Sequence, residues 1–201
     1  MSKNVVVFGA SGHTGRYILR QLDGMQEMAV SAFVRTPEKL ADMKLTSVKI
    51  IQGDALNAAD VALALQGQDV LLAALEGDVL TMAENILQAA KISGLKRIIW
   101  MTGMGIHHEI KGARGIMLDL LARSRPEYIK AADRIAESGI PYTLLRCPGI
   151  QDGDKTAYDL TPEGVQPKNK PVDRAAIAKC MADMLLDDSL GKNASIGITN
   201  L

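Results

Sequence analysis

Three glycines, Gly9, Gly12 and Gly15, stand at three-residue steps directly behind the apolar run Val5-Val6-Val7-Phe8. Glycines in such a turn can do three separate jobs: allow a tight reversal, let the backbone approach a ligand, and let the next helix pack close to the strand. In the segment 16–22, Tyr17, Ile18 and Leu22 share one helical face. A helix opening on this turn offers unpaired N–H groups and partial positive charge, which suit a pyrophosphate. Ser11, His13 and Thr14 complete the turn and are counted with the glycines as expected ligand contacts. His13 is read as a loop residue, not a catalyst. The spacing is G-x-x-G-x-x-G, not the common G-x-G-x-x-G, so the strand–turn–helix setting carries the dinucleotide reading. The last glycine is followed by Arg16, not the lysine of a nucleoside-triphosphate P-loop, and that chemistry is excluded.

The second candidate group ends the next apolar run, 30–34, where Arg35 and Thr36 stand with no acid before Glu38. In dinucleotide sites an acid about 20 positions beyond the glycines holds the adenosine ribose of NAD, and an arginine there suits the 2′-phosphate of NADP. Arg35 presents a fork of donors and Thr36 a hydroxyl. The plainer alternative is a solvated loop arginine. NADP is the expected cofactor, with NAD possible.

These groups need a frame. Short apolar runs at 5–8, 30–34, 48–51, 69–74, 97–101, 142–146 and 194–199 read as strands. Between them lie helical patterns: one after the glycine turn, one opening at Pro37, and others at 57–65, 80–92 and about 127–137. A last one runs from a cap at Asp173 to about 186. Alternating strands and helices predict an α/β fold, a doubly wound parallel sheet of about seven strands in three αβα layers. One domain spans 1–201. The stretches 102–125 and 148–171 resist assignment and are read as substrate loops, because they follow carboxyl ends of strands.

Composition narrows the partners. Lys plus Arg and Asp plus Glu are 23 each, so no bulk charge favours nucleic acid or an acidic membrane surface. The two cysteines, Cys147 and Cys180, have neither disulfide-framework nor metal spacing. No signal peptide or membrane span is legible. A small-molecule partner, a cytoplasmic location and a monomer or homodimer are expected.

The turn 9–15, Arg35, Gly53-Asp54 and Ser138-Gly-Ile-Pro-Tyr-Thr-Leu-Leu-Arg146 with Pro148-Gly149 together resemble the atypical short-chain dehydrogenase/reductases. Within them the chain is similar to the NmrA-like NAD(P)H-binding proteins and to biliverdin/flavin reductases, over nearly its whole length. The resemblance implies that Asp54 and Ala55 lie beside the adenine, though Asp54 equally suits an ordinary turn. It implies that Ala73 and Ala74 leave room for the cofactor at a strand end, as tight sheet packing also would. It places Pro148 beside the nicotinamide, Thr102 where the family has a serine, and Lys130 at the family's lysine position. Thr102 and Lys130 are therefore the catalytic candidates and also expected cofactor contacts, with a plain loop start as the alternative for Thr102 and an exposed helix lysine for Lys130.

Classical members of that superfamily use Tyr-x-x-x-Lys, and this chain has none: Tyr17, Tyr128 and Tyr158 are followed four residues later by Gln21, Ala132 and Pro162. Tyr128 and Lys130 differ by about 200° on a helix and cannot both face one site. Histidine is a residue type suited to acid–base work, but a mobile solvated loop explains His107 and His108 better. Met101, Met104 and Met117 suit an adaptable apolar pocket or a core. The expected activity is NAD(P)H-dependent hydride transfer to a small flavin-, quinone- or enone-like acceptor. The alternative is an NmrA-like redox-sensing regulatory protein that binds NAD(P) without turnover.

Overall fold

The computed structural model describes residues 2–168 and 171–201. Strands β1 (Lys3–Phe8), β2 (Met28–Val34), β3 (Lys49–Gln52), β4 (Val70–Ala73), β5 (Arg97–Gly103), β6 (Tyr142–Cys147), β8 (Tyr158–Pro162) and β10 (Ala194–Asn200) form one sheet. Its order is β3-β2-β1-β4-β5-β6-β10-β8. Every neighbouring pair is parallel except β10–β8, which is antiparallel. Two-residue strands β7 (Ile150–Gln151) and β9 (Val172–Asp173) pair separately.

The central strands are continuous apolar runs because they are buried on both faces. All four residues of β4 are buried, and so are Val5 to Phe8 of β1. One core lies between the sheet and helices α1 (His13–Leu22) and α6 (Arg174–Leu186), built on Ile18, Leu19, Ile177 and Met181. The other lies under α2 (Ala58–Ala64), α3 (Val79–Ser93) and α5 (Pro126–Ala136), with Phe8, Ile86, Trp100 and Ile135. This is the expected three-layer arrangement. Asn57 caps α2, accepting from the amides of Ala59 and Asp60.

Four elements depart from expectation. The seven expected strands are all present, and the sheet carries an eighth, β8, at its edge within 148–171. Paired on one side only and half exposed, β8 lacks the apolar signature of the inner strands. The stretch 102–125 contains helix α4 (Gly112–Arg123). The segment opening at Pro37 is a 3₁₀ helix, Pro37–Met43. Finally, the Asp173 carboxylate does not cap α6. It accepts instead from Gln151 Nε2 (2.7 Å), Asn200 Nδ2 (2.9 Å) and the Lys155 amide (3.2 Å), tying the loop after β7 to the sheet. Among the described residues, no helix is long and apolar enough to cross a membrane.

Candidate functional site

The three glycines of the turn are not equivalent. Gly9 has φ +75°, and a Cβ there would lie 2.1 Å from the Ala74 carbonyl oxygen. A Cβ on Gly15 would lie 2.1 Å from the Gly9 carbonyl oxygen, so this glycine brings α1 against the end of β1. Gly12 has an ordinary φ of −73°, and its added Cβ meets only the Gly9 oxygen, at 3.2 Å. Its freedom from a side chain therefore serves the space above it more than the chain itself. No side chain caps the first amides of α1, and no acid stands in its first turn. Those N–H groups are left for an anion.

A cleft of about 290 Å³ opens on this turn. Gly9, Ser11, Gly12, His13 and Thr14 form its floor, and Arg35, Asp54, Ala55 and Ala74 border it at successive strand ends. Among the residues expected at the turn and the first strand ends, three do not line it. Gly15 packs beneath the turn, Ala73 is fully buried within β4, and Thr36 is exposed outside it. Asp54 also has the ordinary turn role: its Oδ1 accepts from the Leu56 amide at 3.0 Å.

Two cations at this cleft escaped the sequence reading. Lys39 lines it beside Arg35, its carbonyl accepting from Arg16 Nη1, while Arg16 also pairs with Asp42. Arg174, the first residue of α6, lines the same cleft from the far end of the chain. Its Nη1 donates to Asp152 Oδ1 at 2.7 Å, and its Nε is buried without a partner. The available signal was electrostatic: an arginine in a helix's first turn opposes the helix dipole unless an anion comes there.

A second cavity, about 800 Å³, lies at the carboxyl ends of β5 and β6. It shares Leu75, Glu76, Met101 and Ile150 with the first, so the two adjoin. Thr102 lines it, 5% exposed, and its Oγ1 is buried with no hydrogen-bond partner. Such a group needs a partner from a water or a ligand. Pro148 also lines this cavity. Lys130 lines neither cavity and is exposed. The register of α5 explains this, because Ala131, Ala132 and Ile135 turn inward and bring Tyr128, not Lys130, to the cavity wall.

The remaining polar candidates act as ties. His107 sits between Glu163 (Nδ1 to Oε1, 2.5 Å) and Asp133 (Nε2 to Oδ1, 3.2 Å), and His108 meets Asp119 at 3.0 Å. Neither histidine lines either of these two cavities. Beneath the segment 104–111, Arg146 and Glu109 form an ion pair whose side chains are each 1% exposed. Burial pushes the Cys147 thiol far up, as it does Cys180, to about 12; neither is an activated nucleophile. Among the described residues, no group of three or more His, Cys, Asp or Glu side chains could hold a metal.

A parallel sheet with a glycine turn at the mouth of its first helix, and clefts at the strands' carboxyl ends, is a Rossmann-type dinucleotide fold. Residues 9–188 match the family described as NAD(P)H-binding, and the chain belongs to that family. A Rossmann-fold NAD(P)-binding family protein from Shigella flexneri is 31% identical, with all of this chain and 94% of that one covered and a TM-score of 0.83. A short-chain dehydrogenase/reductase from Veillonella parvula, solved in complex with NADP, is 24% identical, with a TM-score of 0.83 over 100% of this chain and 95% of that one. Quinone oxidoreductase 2 of Escherichia coli is 29% identical over 146 residues, which are 71% of this chain and 47% of that protein. The chain spans 66% of the length of another curated relative, a chloroplastic protein of Arabidopsis thaliana, so it is shorter than both.

Proposed function

We propose that the protein is an NADP-dependent oxidoreductase that passes hydride to a small planar acceptor of the flavin, quinone or enone type. The observation that carries this reading is that the two cavities adjoin at Met101 and Ile150, one floored by the glycine turn and the other walled by Thr102. The uncapped amides of α1 receive the pyrophosphate, and Arg174 adds positive charge at the same cleft. Arg35 and Lys39 take the 2′-phosphate, while Asp54 and Ala55 border the adenine. NADPH held by these residues would supply a hydride. Thr102 Oγ1 hydrogen-bonds an oxygen of the acceptor or of the carboxamide, and Pro148 shapes the wall beside it. The apolar wall excludes water from the reacting atoms. With no Tyr-x-x-x-Lys, the proton comes from solvent. Two relatives support the reading: the Escherichia coli protein bears the name of a quinone oxidoreductase, and the Veillonella neighbour was solved with NADP.

NADPH oxidation against a panel of quinones, flavins and enones tests it. Turnover with at least one class is expected; tight NADPH binding with no turnover would favour a redox-sensing role instead. That second reading draws on the exposure of Lys130, which leaves α5 without a lysine at the reaction cavity. For the cofactor, Arg35→Ala is expected to weaken NADPH about tenfold or more, the worth of a charged hydrogen bond. NADH affinity should hardly change. An equal loss for both nucleotides in fluorescence titrations would remove the 2′-phosphate assignment.

A further inference from the structure

Helix α4 is built inside out. Ile116, Met117, Leu120 and Leu121 are 54–72% exposed, and their spacing puts them on one outward stripe. The inward side carries Gly115, Leu118 and Asp119, and Asp119 pairs with His108. A surface helix ordinarily shows the opposite pattern, and a contiguous apolar patch of this kind marks something that covers it. The stripe does not end at the surface. Met117 and Leu121 are also walls of the second cavity, so one apolar track runs from its interior out along α4. At the inner end stands the buried, unpartnered Thr102 Oγ1, with Tyr128 on the same wall.

A site with an unmet hydrogen bond at its depth and an apolar track leading outward fits an amphiphile lying head first. We infer that the acceptor is a carbonyl-bearing ring with an apolar tail, the ring oxygen at Thr102 and the tail along Met117 and Leu121 onto Ile116 and Leu120. This rests on the reductase reading above. The reaction balances as a two-electron reduction: the ring would take a hydride from bound NADPH at carbon and one proton from solvent at one oxygen, the ring C–H proton would then pass to the other oxygen through water as the ring aromatises, and NADP⁺ and the hydroquinone would leave. The tail takes no part in the chemistry. Its role is to bury apolar surface that α4 otherwise leaves in water, and each methylene so covered strengthens binding.

The test is a series of benzoquinones with one ring and alkyl tails of increasing length, from none to a long chain. In the wild-type protein kcat/KM is expected to rise about tenfold or more along the series, a gain that two or so buried methylenes provide. In the double variant Ile116→Ser/Leu120→Ser the ratio of long-tailed to tail-less kcat/KM should fall towards one. Thr102→Val should lower kcat/KM by a similar factor for every tail length. Binding of the same series to the NADP-loaded protein, read as a rise in melting temperature, reports the tail without needing turnover. Binding that strengthens with tail length but no NADPH oxidation would remove the reductase reading and leave the track standing. Affinity and kcat/KM flat in tail length, or a rise that survives in the serine double variant, would overturn the inference. A wild-type dimer that the double variant converts to monomer would overturn it too, assigning the stripe to a second copy of the chain.

Discussion

Replacing Glu109 by alanine is expected to destabilise the protein by about 3–5 kcal/mol, the usual cost of stranding one member of a buried ion pair. Its carboxylate accepts from the Gly105 amide (2.7 Å), the His107 amide (3.1 Å) and Arg146 Nη1. Without it, Arg146 keeps only a 3.5 Å contact to the Ser195 carbonyl, and its Nε already lacks a partner. For a domain of this size the melting temperature should fall by roughly 6–20 °C. Glu109→Leu combined with Arg146→Met should recover most of that, since an apolar pair of similar volume leaves no charge in the interior. A single variant melting within about 2 °C of wild type would show that the pair contributes little.

The same pair sets a pH dependence. Burial alone would raise the Glu109 carboxyl, but the Gly105 amide and the Arg146 guanidinium outweigh it and hold the group below its usual 4.5. A carboxyl depressed in the folded state stabilises fully above its unfolded value. That contribution is lost as the pH falls through the lower folded value. Wild type should therefore lose stability between about pH 5 and its acid midpoint more steeply than the Glu109→Leu/Arg146→Met double variant. Parallel acid-unfolding curves would count against this account. The consequence is local as well, because the pair lies under the segment leading from Thr102 to α4, which forms one wall of the second cavity.

The second large effect separates folding from binding within the glycine turn. Gly15→Ala forces a Cβ to within 2.1 Å of the Gly9 oxygen and 2.8 Å of the Ala10 Cα, both backbone, so α1 must move off β1. Overpacking of this kind costs about 1–3 kcal/mol or more, and both stability and NADPH affinity should fall. Gly12→Ala differs. Its φ is ordinary and its new methyl meets only one oxygen, at 3.2 Å, so the melting temperature should change little. The methyl does intrude on the space over the α1 amides. NADPH should bind at least about tenfold more weakly, the loss of roughly one hydrogen bond's worth of approach. Calorimetric melting and NADPH fluorescence titration on the same two variants decide the matter. Undiminished NADPH affinity in Gly12→Ala would mean that the pyrophosphate does not lie over this turn.

Much of the frame could be read from the chain alone, for reasons that are local. A parallel strand buried on both faces must be a short apolar run, so β1, β2, β4, β5 and β6 announce themselves. A tight turn with φ +75° and a carbonyl 2.1 Å from any added Cβ must have glycine, so Gly9 is legible as well. Arg35 follows from its fixed distance beyond the glycines.

What the chain alone left open depends on packing between distant segments. Helix α4 hid because its apolar residues face outward, so its pattern does not mark an inner face. The edge strand β8 hid because pairing on one side demands little of its side chains. Lys130 and Tyr128 lie two residues apart, and only the docking of Ala131, Ala132 and Ile135 onto the sheet settled which of them meets the second cavity. Arg174 reaches the glycine turn's cleft only because α6 packs beside α1. Element type is set by each residue's neighbours in sequence. The direction of a side chain into a shared cavity is set by the tertiary register of the element that bears it, and that register exists only once the layers close on one another.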